Sequence, residues 1–238
     1  MKIKQFPSTR IPGVAPPKLP NGQILLDELY YTVQGECRFQ GTPTVFVRTS
    51  HCPLRCVWCD SKHTFTGGTV WKIEDVVARV ATFPTKHVCL TGGEPLSQPE
   101  SFRLARVLAE NGYTIEIETS GSEDIAPFNA YPTDIRKKIV VNLDVKCPGS
   151  AMTNFNRWEN VRELRPHDQL KFILLDEEDY EYAKDVLREH TVPCEVFLHP
   201  VWGKLDPGKI AEWIKRDGLP ARLGLQMHKY IWGDVRGV

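Results

Sequence analysis

Thr44-Val45-Phe46-Val47-Arg48-Thr49-Ser50-His51-Cys52-Pro53-Leu54-Arg55-Cys56-Val57-Trp58-Cys59 sets a short β-branched and aromatic run directly before three cysteines. Residues 44–49 read as a strand, because branched side chains pack well on a pleated surface, and the cysteines fall in the loop behind it. The same succession recurs. Strands are predicted at His87 to Leu90, Thr114 to Ile117, Ile139 to Leu143, Leu170 to Leu175, Cys194 to Leu198 and Leu223 to Met227. Directly behind five of them stand Gly92-Gly93-Glu94, Glu118-Thr119-Ser120-Gly121, Asp144-Val145-Lys146, His199-Pro200 and His228. Segments of helical period lie between. Ile73, Val76, Val77 and Val80 make one face. Ser97 with Glu100 reads as a capping box ahead of Leu104, Val107 and Leu108, with Gly112 as the stop. Ala183, Val186 and Leu187 mark a third helix, and Asp206-Pro207 opens a fourth through Ile210, Trp213 and Ile214 to Gly218.

Alternating strands and helices imply parallel pairing, and strands covered on both faces would explain runs that are nearly all apolar. A doubly wound sheet and a complete or partial barrel both fit. The unusual residues follow so many different strands that they share one rim, and such a rim is where barrels build their active sites. The expected fold is α/β, of barrel type.

At 238 residues one domain is the default. Residues 1–22, with Pro7, Pro12, Pro16, Pro17 and Pro20 and no apolar period, read as an N-terminal arm, and residues 23–238 as the single folded domain. Lysine plus arginine and aspartate plus glutamate both total 30, so no charge excess points to nucleic acid. No run approaches the roughly 18 apolar residues of a membrane helix, and the N-terminus lacks a charged start followed by an apolar stretch; a cytoplasmic location is expected. Seven cysteines, three of them within eight positions, suit a metal centre better than a disulfide framework.

Cys52, Cys56 and Cys59 are separated by three and then two residues. Ferredoxin-type runs supply four thiolates and saturate a cluster; three leave one iron open to a ligand's donor atoms. The alternative is a structural zinc knot with His63 as fourth ligand. Gly92-Gly93-Glu94-Pro95 adds a bare backbone beside a carboxylate, which suits a docking α-ammonium group. Arg48, a guanidinium inside an apolar strand, calls for a planar carboxylate, or else an internal ion pair with Glu36 or Asp60.

Cysteine spacing and glycine turn together resemble the radical S-adenosylmethionine superfamily, and within it the 7-carboxy-7-deazaguanine synthase family. The resemblance runs from about Tyr30 to the end through Thr32-Val33-Gln34-Gly35-Glu36, Phe46-Val47-Arg48, Cys59-Asp60-Ser61-Lys62-His63-Thr64, Thr91-Gly92-Gly93-Glu94-Pro95, Glu118-Thr119-Ser120-Gly121 and Gln226-Met227-His228-Lys229-Tyr230. It implies a partial (β/α)6-type TIM-like barrel and a [4Fe–4S] cluster on Cys52, Cys56 and Cys59 that reductively cleaves S-adenosylmethionine. The implied reaction is radical contraction of 6-carboxy-5,6,7,8-tetrahydropterin to 7-carboxy-7-deazaguanine with loss of ammonia.

By the same resemblance, substrate contacts are expected at Val33, Gln34, Gly35, Glu36, Arg48, Thr91, His228 and Val238. Cofactor contacts are expected at Trp58, Asp60, Gly93, Glu94, Asp144, Val145, Lys146, His199, Pro200, Val201 and Trp202, with Mg²⁺ at Ser61. A hydroxyl alone is a feeble ligand for so hard a cation, so the ion would keep waters and lean on substrate oxygens. Three positions depart from the pattern: Asp144-Val145-Lys146 replaces Ser-Pro-Lys, His199-Pro200 replaces Gln-Pro, and Cys37 replaces glycine; Cys37 is given no ligand role. An electron donor such as flavodoxin or ferredoxin and a homodimer are expected, with neither nucleic acid nor membrane as partner. Two rival functions remain, an activase that plants a glycyl radical on a protein and a non-enzymatic zinc-binding module.

Overall fold

The computed structural model describes residues 15–238, so most of the expected N-terminal arm lies outside the described residues. Six strands pair in parallel succession: β2 (Pro43–Thr49), β4 (His87–Gly92), β5 (Thr114–Thr119), β6 (Ile139–Val145), β7 (Gln169–Leu174) and β8 (Glu195–Pro200). Two antiparallel strands, β1 (Gln23–Val33) and β3 (Thr69–Lys72), extend the β2 edge, and a two-residue β9 (Arg222–Leu223) ends the other. The sheet runs β3-β1-β2-β4-β5-β6-β7-β8-β9 and is not closed, the partial barrel that the sequence implied.

Helices α1 (Ile73–Val80), α2 (Glu100–Glu110), α3 (Ala126–Asn129), α4 (Thr133–Arg136), α5 (Trp158–Glu163), α6 (Glu177–Glu189) and α7 (Pro207–Asp217) intervene between strands. The main core lies between these helices and one face of the sheet. Val47, Leu90, Ile117, Leu143, Phe172 and Leu198 from the strands join Val76, Leu104, Ala183 and Ile210 from the helices in it. Burying such side chains stabilises by about 1.5–3 kcal/mol each. Among the described residues no helix is long and apolar enough to cross a membrane.

Four readings need correction. The parallel strands are not apolar on both faces: Arg48, Glu118, Asp144, Lys171 and His199 alternate with core residues and face a cavity. The long β1 escaped notice because Asp27 and Glu28 interrupt its apolar alternation, at a point where its register against β2 also shifts. Of the strand expected at residues 223–227 only Leu223 pairs, in β9. A β-carbon on Gly224 would lie 2.1 Å from the His199 ring, so only glycine fits there, and the strand gives way to α8 (Met227–Trp232). Finally, the N-cap of α2 is Pro99, and the Ser97 hydroxyl donates to Glu123 instead, so the capping box is not made.

Candidate active site

The ends of the parallel strands and the loops behind them enclose a cavity of about 410 Å³. Cys52, Cys56 and Cys59 line one wall; Arg48, Thr91 and Glu118 line another; Asp144, Lys171 and His199 come from the far strands. The cysteine loop is held by a close backbone approach. A β-carbon on Gly93 would lie 2.2 Å from the His51 carbonyl oxygen, and one on Gly92 2.3 Å from that of Thr49. Bare backbone lets Gly93 N–H donate to Thr49 and Glu94 N–H to His51. The glycine turn thus carries the cysteines as well as the cavity wall.

Burial pushes all three thiols up, Cys52 to about 12. Iron would replace their protons on binding. The zinc knot loses its fourth ligand, because His63 Nε2 lies 3.5 Å from Asp27 and 3.8 Å from Glu28. Three protein thiolates with one open position is the donor set that remains.

Of the expected cofactor contacts, Trp58, Asp60, Gly93, Asp144, Lys146, His199, Pro200, Val201 and Trp202 all line the cavity. Three of them hold a buried polar atom with no partner: Trp58 Nε1, Asp144 Oδ1 and His199 Nδ1. Buried polar groups are normally satisfied, so these mark where ligand atoms fit. Asp144 Oδ2 is held at 2.7 Å by the buried Lys146 ammonium. Two expected contacts lie elsewhere. Val145 points away from the cavity, since its neighbours Asp144 and Lys146 face it, and packs in the outer core. Glu94 is fully buried and accepts from Leu96 N, Thr119 Oγ1, Ser120 N and the Ser120 hydroxyl, so no free carboxylate awaits an α-ammonium group. It ties the end of β4 to that of β5.

The expected substrate contacts Val33, Gln34, Gly35, Glu36, Arg48, Thr91, His228 and Val238 all line the cavity as well. Gln34 donates to Glu116 and, at 3.2 Å, to Glu118, and its oxygen accepts from Glu36 N. Glu36 is engaged by Lys171 at 2.9 Å and by Gln226. Arg48 has an internal partner after all, and it is neither of the acids expected: its Nε donates to Glu28 at 2.8 Å, directly across from it on β1, and Nη2 to Tyr30. Thr91 donates to Glu118 at 2.9 Å. Tyr30 and Phe46 stack at 5.2 Å on this side, an apolar wall suited to a flat ring. His228 sits over Gly35, where a β-carbon would lie 1.9 Å from its Nδ1. Ser61 donates to Asp60, whose other oxygen accepts from Lys229 at 2.8 Å.

Lys171 was missed as a site residue, and Glu118, read as part of the rim, was assigned no contact. The signal was present, a charge inside a buried strand, as for Arg48.

Fold and thiolate loop define a radical S-adenosylmethionine protein, and residues 46–144 match that superfamily. The chain is 38% identical over 231 residues to the 7-carboxy-7-deazaguanine synthase of Koribacter versatilis, covering 90% of this chain and 99% of that protein. It is 34% identical over 215 residues to that of Thermoplasma acidophilum, covering 90% and 100%. In fold it matches the crystal structure of QueE from Escherichia coli with a TM-score of 0.70 at 24% identity, over 87% of this chain and 95% of the other. The chain belongs to the 7-carboxy-7-deazaguanine synthase family.

Proposed function

We propose that the chain converts 6-carboxy-5,6,7,8-tetrahydropterin to 7-carboxy-7-deazaguanine and ammonia, in 7-deazapurine biosynthesis. The observation that carries this reading is one cavity joining the open thiolate trio to the wall made by Arg48, Thr91 and Glu118. Substrate and product differ only by ammonia, so no net oxidant is needed. A [4Fe–4S] cluster on Cys52, Cys56 and Cys59, together with S-adenosylmethionine, would supply the hydrogen-abstracting radical chemistry when bound.

The chain's own residues bind, orient and exclude water. Arg48 turns a guanidinium edge to the pterin carboxylate while Glu28 holds its other edge, so it stays charged and fixed. Glu118, held by Thr91 and Gln34, accepts from ring N–H groups. Trp58 Nε1 and Asp144 Oδ1 are free to meet the nucleoside. Lys146, at 2.7 Å from Asp144, holds the other oxygen of that carboxylate in place. Ser61 and Asp60 offer oxygens to a Mg²⁺ that keeps its waters and leans on substrate. A homodimer, a flavodoxin- or ferredoxin-type donor, and a single domain over residues 23–238 belong to the same reading.

Anaerobic incubation with the pterin, S-adenosylmethionine and a reductant tests it. A deazaguanine chromophore should appear with stoichiometric ammonia; pterin recovered intact from cluster-loaded protein would contradict it and return the glycyl-radical activase to consideration.

A further inference from the structure

Cys37 and His199, two of the departures from the family pattern, meet in the structure: Cys37 Sγ lies 3.3 Å from His199 Nε2. Cys37 sits at φ +55°, a conformation that favours glycine, so a side chain is carried there against the backbone's preference. From another side Gly224 confines the ring, since a β-carbon there would lie 2.1 Å from the same nitrogen. His199 is 1% exposed.

Burial keeps both partners neutral, holding the imidazole down to about 4 and pushing the thiol well up. With both partners neutral, a thiol hydrogen directed at Nε2 accounts for the contact between sulfur and nitrogen. The ring's own hydrogen then belongs on Nδ1, the buried atom without a partner beside the cavity. Glu36 does not make this a cation site, although its carboxylate lies within 4.8 Å of thiol and imidazole. Lys171 holds that carboxylate at 2.9 Å and would repel a second cation.

We infer that Cys37 is a positioning residue: its thiol donates to His199 Nε2 and fixes the tautomer whose Nδ1–H is presented to an acceptor on the adenosyl part of S-adenosylmethionine. The inference rests on the cofactor reading above.

Calorimetric titration of S-adenosylmethionine into anaerobically reconstituted holoenzyme tests it without turnover. Cys37→Gly relieves the positive φ while removing the donor, and should raise Kd about tenfold. Cys37→Ser, whose hydroxyl donates in the same place, should stay within about threefold of wild type. His199→Phe should also weaken binding about tenfold, and adding Cys37→Gly to it should cost nothing further, because the thiol acts only through the ring. Additive losses in the double variant, or a Cys37→Gly enzyme that binds like wild type, would overturn the inference. Wild-type holoenzyme that fails to bind S-adenosylmethionine would overturn the cofactor reading itself.

Discussion

Val47, Leu90, Ile117, Leu143, Phe172 and Leu198 pack against the helices, while their immediate neighbours Arg48, Thr91, Glu118, Asp144, Lys171 and His199 line the cavity. One step along each strand separates oil from charge. The outer face supplies stability by removing apolar area from water. The inner face works against stability, since each charge there had to leave water, and it is tolerated because the charges are paired: Arg48 with Glu28, Lys171 with Glu36, Lys146 with Asp144. What the pairing leaves over, one guanidinium edge and three orphan polar atoms, is what a ligand meets.

If this division of labour holds, the largest effect on folding comes from the outer face. Phe172→Ala should cost about 3–5 kcal/mol in denaturant unfolding, a large part of a domain's stability. A loss below about 1 kcal/mol would mean that the outer core is not what holds the barrel. On the inner face, Arg48→Lys keeps the charge and the Glu28 pair but removes the fork. It should raise the KM for the pterin by roughly thirty- to a hundredfold, about 2–3 kcal/mol, while reductive cleavage of S-adenosylmethionine continues. Loss of cleavage would place Arg48 at the cofactor instead.

A smaller effect sharpens the contrast through pH. Burial, with the Glu118 charge beside it, raises Glu116 from 4.5 to about 8. The folded chain therefore keeps a proton that the unfolded chain has released, so this contribution is complete below about 4.5 and is lost as pH climbs to about 8. Glu116→Gln should remove that dependence, flattening stability against pH by at most about 1.4 kcal/mol per pH unit across the window. Parallel curves for variant and wild type would mean that Glu116 is ionised in the folded state.

The alternation of elements, the rim and the thiolate trio could be read from the sequence because each is local: spacing, period, and a loop directly behind a strand. Side-chain direction could not. Glu94 stands beside the glycine turn in sequence yet folds into a network with Thr119 and Ser120, and Val145 faces the opposite side from Asp144 and Lys146. Lys171 was passed over as a member of an apolar run, and Glu118 was placed on the rim without a contact of its own, whereas the logic applied to Arg48 would have flagged both. The Arg48 ion pair was foreseen but its partner was not, since β1 had not been recognised and Glu28 had no assigned place opposite it. The close approach of Gly224 to the His199 ring is set by tertiary packing alone.

The central claim is that the trio of thiolates holds an iron–sulfur cluster with an open corner at the mouth of this polar face. Wild-type protein and Cys56→Ala, each reconstituted with iron and sulfide under anaerobic conditions, should be compared for bound iron and for 5′-deoxyadenosine formed from S-adenosylmethionine. Wild type should carry about four irons per chain and form the nucleoside, and the variant should do neither while remaining folded. A wild-type protein that takes up zinc in place of iron, or a Cys56→Ala variant that still cleaves the cofactor, would contradict it.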